Sequence, residues 1–295
     1  MGNQIWSYSG ALMTFLTYTD QVVHMNKLKL SDDNSIPSLG LGLWKIKDEA
    51  QFNQMFQAAV KTGYRHFDCA QAYGNEQFLG KAWREAGLKR EDIFITTKSL
   101  FQHFGYKSTM ESFEGSLKKL QTDHVDLLLI HFPGPFWLRK SKWRALEEIK
   151  RAGKARSIGV SNYSVSQLRE MENYAKEMPV INQIEMHVFL QQEATREYCQ
   201  NHNIQVEAYS PLAHGRIMGN PTIQQIANKY NKSYSQIMLR WCIEQGAIPL
   251  PKTVTPKRLI ENADIFDFKL DNEDLEQIKT LERNFRTIWH SILFG

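Results

Sequence analysis

The sequence predicts an α/β protein, a (β/α)8 TIM barrel preceded by an N-terminal β-hairpin. Short apolar strand candidates alternate with helix candidates about eight times, and a chain of 295 residues suits one such barrel. A doubly wound sheet is the alternative. The segment Leu39–Trp44 does not complete the GxGxxG fingerprint of that fold, so the barrel is favoured.

The hairpin is predicted at Lys27–Leu30 and Ile36–Leu39, with turn residues at Ser31–Asn34 between them. The barrel strands are predicted at 39–43, 65–68, 93–98, 125–131, 155–161, 180–185, 205–208 and 248–250. The helices are predicted at 50–61, 76–86, 109–120, 142–152, 164–176, 192–201, 222–245 in two pieces, and 258–263.

Residues 1–24 stand outside this pattern. Their apolar stretch, 5–18, lacks the basic segment of a signal peptide and is too short and too polar to span a bilayer. We expect a disordered or loosely packed extension here. Patterned sequence begins just beyond Met25, so the barrel is assigned to residues 25–295.

Composition argues against several function classes. The net charge of +4 is spread without a basic block, which disfavours nucleic acid as a partner. The three cysteines show no CxxC spacing, which argues against a disulfide framework or a zinc ribbon and for a reducing, cytoplasmic setting. No metal site is predicted, because clustered ligands are missing beyond His66 and Asp68. We expect no membrane partner and a monomer.

Ionisable groups stand where three consecutive strand candidates end. Asp68 and Tyr73 follow the first of these strands, Lys98 ends the second and His131 ends the third. Because the carboxyl ends of parallel strands meet at one face of a barrel, these side chains are predicted to lie together. Singly, Lys98 is more typical of a structural ion pair, and His131 of a histidine satisfied by a backbone carbonyl.

Together the four groups suit carbonyl reduction. A phenol has an ordinary pKa of about 10, and a neighbouring ammonium favours its release of a proton. Lys98 can act in this way on Tyr73, Asp68 can keep Lys98 charged, and His131 can orient a carbonyl oxygen. A barrel glycosidase, the other enzyme class considered, requires two catalytic carboxylates, and the sequence offers no obvious pair for that role.

Seven motifs occur along the chain from about Leu28 to Trp289: GYRHFDCAQAYGNE, ITTK, VDLLLIHFP, GKARSIGVSNY, INQIEMH, AYSPLAHGR and IPLPKTVTPKRLIENADIFDF. In order and spacing they resemble the motifs of the aldo-keto reductases. The resemblance implies a barrel that binds NADPH at its C-terminal face. It implies reduction of aldehydes or ketones to alcohols by hydride transfer from nicotinamide C4, with Tyr73 as general acid.

The same resemblance places the nicotinamide half of NADPH. It implies that Ser161, Asn162 and Gln183 hold the carboxamide and that the ring stacks on Tyr209. The resemblance also implies contacts with the pyrophosphate from two residues of the Tyr-Ser-Pro-Leu segment, Ser210 and Leu212.

The adenosine half is assigned to the end of the last barrel strand and the helix after it. The resemblance implies that Lys252, Thr253 and Arg258 grip the 2′-phosphate and that Glu261 and Asn262 lie near the adenine. Two cations that flank a hydroxyl at a helix start are suited to bind phosphate. The sequence therefore favours NADPH over NADH.

The substrate pocket is predicted from aromatic residues near the strand ends. The candidates are Trp44, Phe101, Phe132, Phe136 and Trp289, although aromatic side chains lie more often in protein cores than in pockets. The small-molecule carbonyl itself is not identified by the sequence. An alternative function is an NADPH-binding sensor or regulatory subunit with little turnover, which the resemblance also permits.

Overall fold

The computed structural model describes residues 25–100, 102 and 105–288, so the predicted extension of residues 1–24 lies outside the described part. Eight parallel strands form one sheet in chain order. These strands are β3 (Leu41–Gly42), β4 (His66–Asp68), β5 (Phe94–Ser99), β6 (Val125–Ile130), β7 (Ala155–Ser161), β8 (Ile181–Glu185), β9 (Gln205–Tyr209) and β10 (Ala247–Leu250).

The first and last strands of this sheet meet. The Gly40 amide donates to the Pro249 carbonyl at 3.1 Å, and the Gly42 amide donates to the Pro251 carbonyl at 3.0 Å. A Cβ at Gly40 would lie 2.5 Å from Leu250 Cδ2 and 2.6 Å from Nδ1 of the buried His66, so glycine leaves room for these two side chains where the strands meet. The predicted barrel is confirmed.

Helices follow the strands and form the outer layer. In the described part of the chain, no helix combines the length and the apolar character needed to cross a bilayer. The helices are α1 (Glu49–Thr62), α2 (Glu76–Glu85), α3 (Gly105–Leu120), α4 (Phe136–Arg151), α5 (Val165–Met171), α6 (Glu193–Asn201), α7 (Pro221–Tyr230), α8 (Tyr234–Glu244), α9 (Pro256–Ala263) and α10 (Asn272–Lys279).

Three helices differ from their predicted bounds by more than two residues, and a further helix was not predicted. Helix α3 begins at Gly105 rather than at 109. Helix α4 begins at Phe136 rather than at 142. The prediction missed its first turn because that turn is exposed and lacks the apolar periodicity that marks a buried face. Helix α5 ends at Met171, several residues before the predicted end. Helix α10 was not predicted from the sequence, and it begins with a capping box between Asp271 and Asp274.

The N-terminal hairpin closes one end of the barrel. Its strands, β1 (Lys27–Lys29) and β2 (Ser35–Pro37), are antiparallel. Ile36 is fully buried and packs in one cluster with Phe94 and Ile181, which are the first residues of β5 and β8. The hairpin therefore fills the amino-terminal end, and the carboxyl ends of the strands remain as the open face.

Candidate active site

An ion pair lies at the carboxyl ends of β4 and β5. The Lys98 ammonium is 2.6 Å from Asp68 Oδ2, and both side chains are buried. The same ammonium donates to the Cys69 carbonyl at 3.1 Å and to the Tyr73 hydroxyl at 3.2 Å. Tyr73 ends a short 3₁₀ turn, Gln71–Tyr73, which Gly74 closes with a positive φ of 68°. This turn brings the phenol back over the lysine.

His131 completes the group of four residues predicted from the strand ends. Its ring centroid lies 5.8 Å from that of Tyr73, and the planes are close to perpendicular. The imidazole stacks on Phe132 with a centroid distance of 4.9 Å. Within the described part of the chain, His131 Nδ1 has no hydrogen-bond partner. The structure therefore brings Asp68, Tyr73, Lys98 and His131 to one place.

Burial decides the protonation of these groups. Burial raises the pKa of Tyr73 to about 12, although the Lys98 ammonium acts in the opposite direction. Burial alone would lower the pKa of Lys98, but Asp68 and Tyr73 raise it above its ordinary value. Burial and the nearby Lys98 and Lys142 hold the pKa of His131 well below its ordinary range. At neutral pH the site thus has a protonated phenol, an ammonium and a neutral imidazole.

One electrostatic expectation is corrected here. Lys98 favours the phenolate of Tyr73 as predicted, but the net pKa is raised because desolvation outweighs that contact. Asp68 also raises the pKa of Tyr73, since two negative charges repel. One Asp68 oxygen contacts the Lys98 ammonium, and the other accepts from the Gln183 amide nitrogen at 2.9 Å.

A cavity of about 450 Å³ opens above these groups at the carboxyl ends of the strands. Asp68, Tyr73 and His131 line it. The other predicted residues that line it are Trp44, Phe132, Ser161, Asn162, Gln183, Tyr209, Ser210, Leu212 and Lys252.

Hydrogen bonds organise one wall of the cavity before any ligand is bound. The Asn162 amide nitrogen donates to Ser161 Oγ and to the His131 carbonyl, both at 3.0 Å. Asn162 Oδ1 accepts from the Tyr209 hydroxyl at 2.7 Å, and Ser161 Oγ donates to the Gln183 carbonyl at 2.9 Å. Asn162 has a φ of 63°, a conformation that asparagine tolerates better than most residues. These contacts fix the Asn162 and Ser161 side chains in this wall of the cavity.

Of the two cations predicted to grip a phosphate, Lys252 lines the cavity and Arg258 does not. Lys252 follows β10, and Arg258 lies in the first turn of α9. Both are exposed, and neither forms an ion pair with any carboxylate of the described residues. Burial of its stem and repulsion from Lys45 lower the pKa of Lys252, as expected for a cation without an acidic partner. Free cations beside a helix start fit a phosphate.

The other residues predicted to lie near the adenosine half are found around the same helix. Thr253 is buried, and its hydroxyl accepts from the Thr255 amide at 3.1 Å. Glu261 accepts from the Ser233 hydroxyl at 2.5 Å, and Asn262 is buried. None of these three predicted residues is among those that line the cavity.

A family model for the Aldo/keto reductase family matches residues 38–283. The chain belongs to this family. It is 43% identical over 259 residues to a glyoxal reductase of Bacillus subtilis, a match that covers 88% of this chain and 94% of the relative.

Solved structures of other aldo/keto reductases agree with the fold. One from Brucella melitensis is 45% identical, with a TM-score of 0.84, and the match covers 88% of this chain and all of that one. One from Bombyx mori, solved in complex with NADP, is 34% identical with a TM-score of 0.85, and the match covers 90% and 95% of the two chains.

One described residue predicted for the pocket of this aldo/keto reductase, Phe136, does not line the cavity. Phe136 is 66% exposed at the start of α4, where its ring contacts Trp137 instead. Phe101 and Trp289 lie outside the described residues. Their places in the pocket stay predictions.

Other residues that line the cavity were not predicted as site residues from the sequence. They include Lys45, Leu100, His214 and Ile288. Ile288 is held because its amide and that of Thr287 donate to the buried Glu185 carboxylate at 3.3 and 2.6 Å. Glu185 ends the buried strand β8, and a charged residue there is a signal visible in the sequence. Its partners, Thr287 and Ile288, lie about a hundred residues later, so the sequence does not show which residues it binds.

Proposed function

We propose that this chain is an NADPH-dependent reductase of small aldehydes and ketones, with Tyr73 as the general acid. The observation that supports this most directly is the 3.2 Å contact between the Lys98 ammonium and the Tyr73 hydroxyl beside His131 in the cavity. When bound, NADPH supplies a hydride from nicotinamide C4 to the carbonyl carbon. The four residues handle the proton and the oxygen.

Each residue has a distinct part in this proposal. Tyr73 keeps its proton at neutral pH, because its pKa is about 12, and gives it to the carbonyl oxygen as negative charge develops there. Lys98 then stabilises the phenolate, and Asp68 keeps Lys98 charged. A neutral His131 retains one N–H that can donate to the same oxygen.

The choice of NADPH rests on the free cations and on a relative. Lys252 and Arg258 offer two positive charges at α9 to a 2′-phosphate that NADH does not carry. The Bombyx mori aldo/keto reductase is solved with NADP. Tyr209, which is fixed by Asn162, presents an aromatic face to the nicotinamide ring in this arrangement.

The substrate class follows from the cavity. Trp44 and Phe132 give it apolar walls, while the polar groups converge at Tyr73 and His131. The Bacillus subtilis relative is named a glyoxal reductase. We therefore propose short aldehydes and dicarbonyls as first substrates to test.

The cellular setting is a further part of the proposal. Cys69, Cys199 and Cys242 are all free and buried, which supports a reducing compartment such as the cytoplasm. We propose a monomer that carries the complete site within one chain.

The test is the decay of NADPH absorbance with a panel of aldehydes, ketones and dicarbonyls. We expect turnover with NADPH and slower turnover with NADH. Tyr73→Phe should lower kcat by about 10²- to 10⁴-fold, because it removes the proton donor, and should leave the Kd for NADPH nearly unchanged. Tyr230→Phe, at the end of α7, is the matched control and should keep full activity.

Tight NADPH binding with no decay for any carbonyl would reject the reductase and favour the sensor. Full activity of Tyr73→Phe would instead reject Tyr73 as the general acid while leaving the reductase in place.

A further inference from the structure

A buried carboxylic acid lies inside the barrel beneath the catalytic groups. Glu207 projects from β9 and is fully buried. Its Oε2 accepts from the Gln183 amide nitrogen at 2.8 Å. Its Oε1 has no hydrogen bond to any described residue, and His66 Nε2 lies 3.6 Å from it. Burying a carboxylic acid costs free energy unless its polar atoms are hydrogen-bonded, and the contact with Gln183 satisfies only one of the two oxygens.

The Gln183 amide nitrogen has a second acceptor. It donates to Asp68 Oδ1 at 2.9 Å, and the other oxygen of Asp68 is paired with Lys98 at 2.6 Å. An amide nitrogen carries two hydrogens, so both are used by acids from β4 and β9. A rotated amide would place its oxygen against Asp68, where like partial charges repel.

We infer that Glu207 is a positioning residue: together with Asp68 it fixes the Gln183 amide so that the amide oxygen faces the cavity as a hydrogen-bond acceptor. Gln183 lines the cavity, and its amide oxygen makes no hydrogen bond with the rest of the described chain. The group it would accept from is the NH₂ of the nicotinamide carboxamide. This inference rests on the proposed NADPH site.

The acceptor role does not require Glu207 to be charged. Burial and the neighbouring Asp68 raise the pKa of Glu207 to about 8. The other groups that face it are Lys98, Gln183 and His66, and burial lowers the pKa of His66 to about 3, so this imidazole is neutral. A protonated Glu207 still accepts through its carbonyl oxygen. A glutamine at this position would keep that oxygen, whereas an aliphatic residue would not.

The experiment uses a cofactor that lacks the donor. In the 3-acetylpyridine analogue of NADP⁺ a methyl ketone replaces the carboxamide, so no NH₂ is present. Dissociation constants for NADP⁺ and the analogue are measured for the full chain and for Glu207→Leu, Glu207→Met and Glu207→Gln. The binding of 2′,5′-ADP, which occupies only the adenosine side, is measured in parallel as a check on folding.

The native chain should prefer NADP⁺ by about three- to tenfold, the value of one net hydrogen bond. Glu207→Gln should keep this preference. Glu207→Leu and Glu207→Met should reduce it to within about twofold while 2′,5′-ADP binds as before.

Two results would overturn the inference. An undiminished preference in Glu207→Leu or Glu207→Met would show that the acid does not position Gln183. An absence of preference in the native chain, with NADPH still oxidised by a carbonyl, would show that the Gln183 oxygen does not read the carboxamide. Failure of the proposed function is distinct, since it appears as no NADPH oxidation with any carbonyl.

Discussion

Lys142 shows at the scale of one residue how burial alters the chemistry of a side chain. It lies on α4, is 5% exposed, and forms no ion pair with a carboxylate of the described residues. Its ammonium donates to the Leu100 carbonyl at 2.6 Å. Because burial opposes the charge, the pKa of Lys142 is lowered to about 7. The residue holds the end of β5 next to the cavity, at a cost in stability that depends on pH.

Replacing this lysine should remove that pH dependence. Between a folded pKa of about 7 and an unfolded pKa of about 10.4, the unfolded chain binds the extra proton, so Lys142 makes the native state more stable as pH rises. Relative to Lys142→Met, the native chain should therefore gain up to about 1.4 kcal/mol per pH unit in this window. Urea unfolding of both proteins at several pH values measures the difference.

The control for this prediction is Lys118→Met, at an exposed position of α3. Its stability difference from the native chain should stay constant over the same window. If the difference for Lys142→Met were equally constant, Lys142 would have an unshifted pKa in the folded protein and the account of its burial would be wrong.

The sequence was sufficient to name the catalytic candidates but not their protonation. Asp68, Lys98 and His131 end apolar strands, and this local pattern is visible without coordinates. The pKa of Tyr73 depends on how much protein surrounds it. The contacts of Glu207 depend on Gln183 of β8, which also binds Asp68 of β4, so they are visible only in the folded structure. Both are tertiary properties that no local pattern records.

At the scale of secondary-structure elements, two glycines in neighbouring helices illustrate opposite uses of the same residue. Gly80 lies in α2 where a side chain would overlap the carbonyl oxygen of Lys119 in α3. Gly115 lies in the middle of α3, and a side chain there would meet no atom within 4 Å. Gly80 therefore permits the contact between two helices, while Gly115 only weakens its own helix.

Alanine substitutions should separate these roles. Gly80→Ala should destabilise the protein by about 1–3 kcal/mol, because α2 and α3 must move apart. Gly115→Ala should stabilise it by about 0.5–1 kcal/mol, because alanine is the better helix former and has room. Urea unfolding of the two variants gives both signs. A loss of stability in Gly115→Ala as large as in Gly80→Ala would contradict the packing described here.

Helix bounds were predicted well where an apolar stripe faces the barrel and poorly elsewhere. Helix α1 was predicted almost to its ends because its buried residues recur at helical spacing. The first turn of α4 is exposed, with Phe136 and Trp137 in solvent, so periodicity gave no signal. Helix α10 depends on a cap at Asp271 and on packing against α7, and only the cap is local.

At the scale of the whole molecule, the barrel separates stability from chemistry. The hairpin fills the amino-terminal end, while every predicted catalytic residue lies at the carboxyl ends of the strands. The count of strand and helix candidates was enough to predict this architecture. The shape of the cavity was not predictable, because residues such as Ile288 reach it through contacts with Glu185 that are distant in sequence.

Because of this separation, we expect that removing a buried side chain at the amino-terminal end of the barrel lowers stability and leaves catalysis unchanged. Ile36→Ala removes a fully buried side chain and should lower the free energy of unfolding by about 2–5 kcal/mol. Leu28→Ala, in the same hairpin but only partly buried, is the control and should cost less. Well below the unfolding temperature, both variants should retain the native kcat and Kd for NADPH, since no contact of the cavity is altered. Urea unfolding and NADPH oxidation measured on the same samples test both halves, and a fall in kcat that exceeds the unfolded fraction would show that the two ends of the barrel are coupled.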